Sequence, residues 1–252
     1  MPRIFTELSK RSLKMNKVKR AIIMAAGYGS RMQPVTLTTP KPLVKVNGVR
    51  MIDTVINGLH ANGINKIYIV VGYLKEQFKV LTEEYDGVEI IENPYYDTCN
   101  NISSLYVARE YIGESIILDG DLIIYNNSIL APEFERSGYN AVWTENETDE
   151  WLMQVENGIV KSCSRTGGKK GWQLFSISRW SAKDGAKLKH HLETEFEEKR
   201  NRQIYWDDVA MFCYPEEYEL GIREMKSDDI VEIDNISELI AIDGSYGKYL
   251  EQ

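Results

Sequence analysis

Two cations, Arg31 and Lys41, stand ten residues apart just beyond a run of small residues, Ala25-Ala26-Gly27-Tyr28-Gly29-Ser30. The two glycines permit tight backbone geometry and close approach to a ligand. Small side chains leave backbone N–H groups free to point at phosphate oxygens. Pro40 and Pro42 bracket Lys41 and stiffen the chain around it. The chemistry these residue types allow is the gripping of phosphate oxygens: Ala25, Ala26, Gly27, Gly29 and Ser30 form the cradle, and Arg31 and Lys41 supply fixed positive charge. The spacing is not a dinucleotide fingerprint, because Met32 stands where the third glycine belongs, and no Gly-Lys-Ser/Thr makes it a P-loop. A lone Gly-x-Gly fits an ordinary turn equally well. The weight rests on its combination with Thr39-Pro40-Lys41-Pro42-Leu43.

Carboxylates recur in two places. Asp119-Gly120-Asp121 follows an apolar run, where paired aspartates either hold Mg²⁺ beside triphosphate oxygens or are solvated turn residues. In Val231-Glu232-Ile233-Asp234, the following Asn235 reads as an N-cap with Glu238 completing a capping box, which leaves Asp234 free for a metal. Aromatic residues beside acids appear twice, in Glu150-Trp151 and Tyr205-Trp206-Asp207-Asp208. A quaternary ammonium donates no hydrogen bond, so its recognition rests on aromatic faces with carboxylates nearby; each Trp taken alone reads equally as core. Lys161, Arg165, Lys169 and Lys170 could grip an incoming phosphate or be solvated. His60, His190 and His191 fall on predicted helices and receive no chemistry.

The elements that must position these groups alternate. Ala21–Ala25 reads as a buried strand, Met51–His60 as a helix closed by Asn62-Gly63, and Lys66–Val71 as a second strand. Leu74–Tyr85 (helix), Val88–Glu92 (strand), Ile102–Tyr111 (helix) and Ser115–Leu118 (strand) continue the rhythm. This predicts an α/β fold with a mostly parallel, doubly wound sheet whose ligand sits at the carboxyl ends of the strands. Beyond residue 138 short strands are expected at Tyr139–Thr144, Trp151–Glu156, Ile159–Cys163 and Gln173–Ser178, with a hairpin at Asn157-Gly158 and a helix over Ala182–Arg200. We read these as an antiparallel, substrate-binding extension. The division expected is a basic N-terminal extension (1–19) and one domain (20–252), with a nucleotide-binding half (20–137) and an acceptor-binding half (138–252).

Composition narrows the class. A chain of 252 residues, 43% of them hydrophobic, can bury one substantial core. The net charge of −8 argues against nucleic-acid binding. Cys99, Cys163 and Cys213 are widely spaced and form no Cys-x-x-Cys pair, which fits a reducing cytoplasm rather than a disulfide framework. No apolar run reaches the roughly 18 residues of a membrane span.

From Lys19 to Gln252 the chain resembles the bacterial CTP:phosphocholine cytidylyltransferases, nucleotidyltransferases of Rossmann-like, glycosyltransferase-A-like fold. The resemblance is carried by the glycine-rich stretch with Pro40-Lys41-Pro42-Leu43, by Ile69–Phe78, by Asn100-Asn101-Ile102-Ser103-Ser104-Leu105 and by Leu118–Asp121. Glu150-Trp151, Ile204-Tyr205-Trp206-Asp207-Asp208 and Glu232-Ile233-Asp234 complete it. It implies transfer of CMP from CTP to phosphocholine, giving CDP-choline and pyrophosphate. Arg31, Lys41 and Asp121 would be catalytic, Asp121 and Asp234 the Mg²⁺ ligands, and Asp119 the more doubtful aspartate. Asn101 and Ser104 would meet cytosine, Asn101 being otherwise an N-cap. Glu150, Trp151, Tyr205, Trp206 and Asp207 would hold the acceptor. Leu122, where relatives often carry a polar residue, is a departure. Other acceptors stay open, namely 2-aminoethylphosphonate, phosphoethanolamine or a sugar 1-phosphate, as do a silent nucleotide-binding regulator and a monomer or homodimer.

Overall fold

The computed structural model describes residues 15–249. Most of the basic extension therefore lies outside the described residues. Its last part joins the domain: Asn16–Lys17 pairs antiparallel with Glu133–Phe134, and Val18 is buried.

The nucleotide half is built on β1 (Arg20–Ala25), β2 (Ile67–Val71), β3 (Val88–Glu92) and β4 (Ser115–Asp119). These pair in parallel in the order β3-β2-β1-β4. Alternation along β1 explains why both faces are covered, because successive side chains leave a strand on opposite sides. Ala21, Ile23 and Ala25 enter one apolar cluster with Ile52, Ile56 and Leu59 of α1 (Met51–Ala61). Ile22 and Met24 enter the other, with Leu105 from the later helix Ile102–Val107. β1 has β2 on one side and β4 on the other, so the chain reverses direction across it. The carboxyl ends of β1 and β4 therefore open the crevice where such sheets bind ligands.

α2 (Lys79–Glu84) and α3 (Ile102–Val107) are shorter than the periodicity predicts. A tight 3₁₀ turn (Lys75–Phe78), entered through Leu74 at φ 49°, precedes α2, and another (Arg109–Tyr111) follows α3.

The second half adds β5 (Gly138–Thr144), β6 (Leu152–Glu156), β7 (Ile159–Ser164), β8 (Gly171–Trp180) and β9 (Gly221–Glu224). β8 is longer than expected because its ends serve different neighbours. Ile177–Trp180 pairs antiparallel with β4, while Trp172 and Gln173 pair with both β5 and β6. The pairings β8–β5, β5–β9, β9–β7, β7–β6 and β6–β8 close a ring. The sheet as a whole is thus mixed; its parallel character belongs to the first half. α4 (Ala182–Glu193) ends seven residues before Arg200, and a wider π-type turn, Thr194–Glu198, takes over.

A ribbon too short to read from the sequence positions the chemistry. Leu122–Ile124 pairs antiparallel with Ile230–Glu232, placing Glu232 opposite Leu122. It draws the second carboxylate stretch against the end of β4.

Candidate active site

A cleft of about 520 Å³ opens at the carboxyl ends of β1 and β4. Its floor is the glycine-rich turn. Gly29 adopts φ +61°, and a Cβ there would stand 3.0 Å from both Lys41 Cβ and Thr36 Cγ2. The turn thus needs glycine for its backbone and for the close approach of the Lys41 stem. Ala25, Gly27, Gly29, Ser30 and Arg31 line the cleft. Ala26 does not; it is buried and its carbonyl accepts from Tyr73 N–H.

Lys41 sits at the centre. It is buried, and its Nζ lies 2.5 Å from Asp121 Oδ2 and 3.0 Å from Asp234 Oδ1. Burial alone would lower the pKa of the ammonium, but the carboxylates of Asp121 and Asp234 hold it above that of a free lysine. Arg31 Nη2 reaches the same Asp234 oxygen at 2.8 Å. Sequence positions more than a hundred residues apart thereby form one charged constellation.

The expected cap of the last helix, α6 (Ile236–Ile242), forms in altered pairing. Asn235 Oδ1 accepts from Glu238 N–H, while the Glu238 carboxylate reaches back to Asp234 N–H. The Asp234 carboxylate is free of capping, and turns to the two cations.

Asp119, Asp121 and Glu232 bring one carboxylate oxygen each within 4.8 Å of one another. Burial, then the neighbouring charges of Asp121 and Asp207, push the Asp119 carboxyl well above the usual range; burial and then Asp121 do the same to Glu232. Asp121 Oδ1 is buried without a hydrogen-bond partner. Clustered hard oxygen donors with an orphaned buried oxygen among them fit a divalent cation such as Mg²⁺. Asp119, doubted from the sequence, belongs to this group, and Glu232 was missed. The signal was there: 119 and 121, like 232 and 234, are two apart and face the same way on an extended chain. Ser176 of β8, also missed, lines the cleft.

The acceptor-side residues divide. Glu150, Trp151, Tyr205 and Asp207 line the cleft, with the Trp151 and Tyr205 rings edge to face, 5.8 Å apart and at 88°. Trp206 does not join them. At the start of α5 (Trp206–Asp208) it is 3% exposed and packs on Tyr139 and Trp180, so the core reading holds for this tryptophan. Trp206→Ala should therefore cost about 3–5 kcal/mol of stability, seen as a lower denaturation midpoint. Trp151→Ala, which removes a ring from the cleft wall, should lower the midpoint far less.

Asn101 lines the cleft, but its Oδ1 accepts from Trp206 N–H at 2.9 Å, and it makes no cap to its own helix. Ser104 faces away: its hydroxyl is tied to buried Asn93, so it is a support rather than a contact. Arg165, offered for the incoming phosphate, instead pairs with buried Asp208 at 2.6 Å and lies over the Phe212 ring. Lys170 pairs with Glu145 on the surface.

Residues 21–181 match the MobA-like NTP transferase domain. Over 228 residues the chain is 39% identical to a 2-aminoethylphosphonate cytidylyltransferase of Lancefieldella rimae, covering 90% of this chain and 92% of that protein. It is 35% identical to a choline-phosphate cytidylyltransferase of Streptococcus pneumoniae, covering 87% and 94% respectively. The solved CTP:phosphocholine cytidylyltransferase from S. pneumoniae superimposes with a TM-score of 0.82 at 32% identity, over 91% of this chain and 99% of that one.

Proposed function

Because this chain belongs to the MobA-like NTP transferase family, we propose that it transfers the cytidylyl group of CTP to a small zwitterion carrying a phosphate or phosphonate at one end and an ammonium at the other, with phosphocholine as the acceptor. The observation that carries the reading is one cleft lined both by the Lys41–Asp121–Asp234 constellation and by the crossed rings of Trp151 and Tyr205 with Glu150 and Asp207.

In this reading the phosphate oxygen of the acceptor attacks the α-phosphorus in line and pyrophosphate leaves. Such transfers depend on positioning and charge stabilisation, with no covalent enzyme intermediate. Backbone N–H groups of residues 27–30 and the Arg31 guanidinium would hold the β- and γ-phosphates. Lys41 would meet the charge that develops at the α-phosphate. Asp121 would be the shared Mg²⁺ ligand, with Asp234, Asp119 and Glu232 the other carboxylates around it. Bound there, Mg²⁺ supplies charge neutralisation at the phosphates. No helix among the described residues is long and apolar enough to cross a membrane.

A second reading, 2-aminoethylphosphonate as the acceptor, is favoured by the burial of Trp206. With one ring fewer, the two carboxylates weigh more, and a primary ammonium can donate hydrogen bonds to them. The 39% identical relative bears that name. Comparing kcat/KM for the two acceptors, with and without Trp151→Ala, tests the choice. If phosphocholine is the acceptor, it should have the higher kcat/KM, and losing the ring should weaken it several-fold, in line with a cation–π contact. A higher kcat/KM for 2-aminoethylphosphonate, unaffected by the ring, would favour the carboxylates instead.

Asp207 adds a pH signature. Burial pushes its carboxyl up to about 7. Below that pH the group is neutral and holds an ammonium poorly; above it the carboxylate is present. The kcat/KM for the acceptor should therefore rise with pH through about 7, and this limb should vanish in Asp207→Asn when the wild-type profile is measured alongside.

A further inference from the structure

A second cavity of about 320 Å³ shares no lining residue with the catalytic cleft. It lies where β5 and β9 begin and β8 ends, and three arginines line it: Arg136, Arg179 and Arg223.

Arg179 is 3% exposed, yet among the described residues it has no carboxylate partner. Its Nε donates to the Ala131 carbonyl at 3.0 Å, Nη1 to Asn140 Oδ1 at 2.7 Å and Nη2 to the Ile129 carbonyl at 2.6 Å. All three acceptors are neutral. The side chain is fixed in place, but its charge is left uncompensated in the interior. Arg223 stands beside it and donates to the Glu133 backbone carbonyl. Among the described residues neither arginine forms an ion pair with a carboxylate. Two exposed acids, Glu133 and Glu135, also line the cavity; Glu133 is paired with Lys17 at 3.6 Å and its charge acts on Arg223. Arg136 reaches only an exposed Glu219, at 3.7 Å.

Removing a guanidinium from water without an opposite charge is costly, and chains ordinarily avoid it. Burial and then the charge of Arg223 push the Arg179 pKa down to about 9, the response of a cation with no counterion. Two forked donors side by side suit the tetrahedral face of a phosphate, which each can grip through two N–H groups.

We propose that this second cavity binds a phosphate group, free or at the end of a small molecule, between Arg179 and Arg223 with Arg136 at its mouth. The ligand supplies the negative charge that the fold withholds from Arg179.

The test is a titration of the full chain with inorganic phosphate at constant ionic strength, followed by calorimetry, in the wild type, in Arg31→Ala and in Arg223→Gln. A parallel arm replaces phosphate with glycerol 3-phosphate. Arg31→Ala weakens phosphate binding in the catalytic cleft only, so a saturable component should persist in that variant. Arg223→Gln should weaken that component about tenfold or more, the usual consequence of losing a charge-assisted hydrogen bond. Because Arg223 is half-exposed, the variant should fold, and an unchanged denaturation midpoint checks this. Tighter binding of glycerol 3-phosphate than of phosphate identifies a carried phosphate, and the reverse order a free one. Loss of all saturable binding in Arg31→Ala, or its full retention in Arg223→Gln, would overturn the proposal.

Discussion

Lys41→Ala should lower kcat by about 10²–10³-fold, the loss measured when one preorganised donor to a developing oxyanion is removed. The reasoning starts from position. Lys41 is fixed by the flanking prolines Pro40 and Pro42 and by the Gly29 turn pressed against its stem. Its ammonium keeps its proton through the neighbouring carboxylates. The charge is therefore in place before substrate arrives, and no reorganisation is needed at the moment of reaction. The alanine also leaves Asp121 and Asp234 without their shared cation, so a modest fall in denaturation midpoint should accompany it. Kinetics separates the effects. A transition-state role lowers kcat with the KM for CTP little changed. A chain that only bound nucleotide would lose affinity alone, which is how the variant discriminates a regulator from an enzyme.

Asp121→Asn should be as severe, about three orders of magnitude in turnover, as expected when several kcal/mol of metal-supplied charge stabilisation is lost. The substitution keeps the shape of the side chain and its contact with Lys41, but replaces one hard anionic oxygen by an amide nitrogen. Asp121 is the member common to the carboxylate trio and the Lys41 pair. The Mg²⁺ concentration giving half-maximal rate should rise at least about tenfold. Asp119→Asn and Glu232→Gln provide the comparison. If either abolishes turnover while Asp121→Asn leaves both turnover and Mg²⁺ demand unchanged, the assignment of Asp121 is wrong.

How much of this was legible in the sequence depended on the range of the signal. The parallel half was readable because strands such as Ile67–Val71 are uninterrupted apolar runs punctuated by glycine. The glycine-rich turn on the cleft floor was readable because its glycines and prolines are local in the chain. The capping role of Asn235 was readable for the same reason. The meeting of Asp121 with Asp234 was not dictated by anything local: it depends on a three-residue ribbon, Leu122–Ile124 with Ile230–Glu232, too short for a periodic pattern. The place of Glu232 in the trio was not legible because only its pairing opposite Leu122 brings its carboxylate to Asp119 and Asp121. Trp206 was misassigned because residue type and adjacency to acids do not fix direction. The first turn of α5 points the ring at Tyr139 and Trp180, while Tyr205, one residue earlier, faces the cleft. The closing ring of β5 to β9 was equally out of reach, since strand pairing at this separation leaves no mark on either segment alone.

The central claim is cytidylyl transfer to a phosphorylated or phosphonylated amine in the Lys41 cleft. Its most direct test is pyrophosphate release from CTP with Mg²⁺, the acceptor varied across phosphocholine, phosphoethanolamine, 2-aminoethylphosphonate and glucose 1-phosphate. The expected result is acceptor-dependent release, strongest with phosphocholine, together with one equivalent of CMP-bearing product, and its collapse in Lys41→Ala. Strong release with glucose 1-phosphate alone, or none with any acceptor while CTP still binds, would contradict the account.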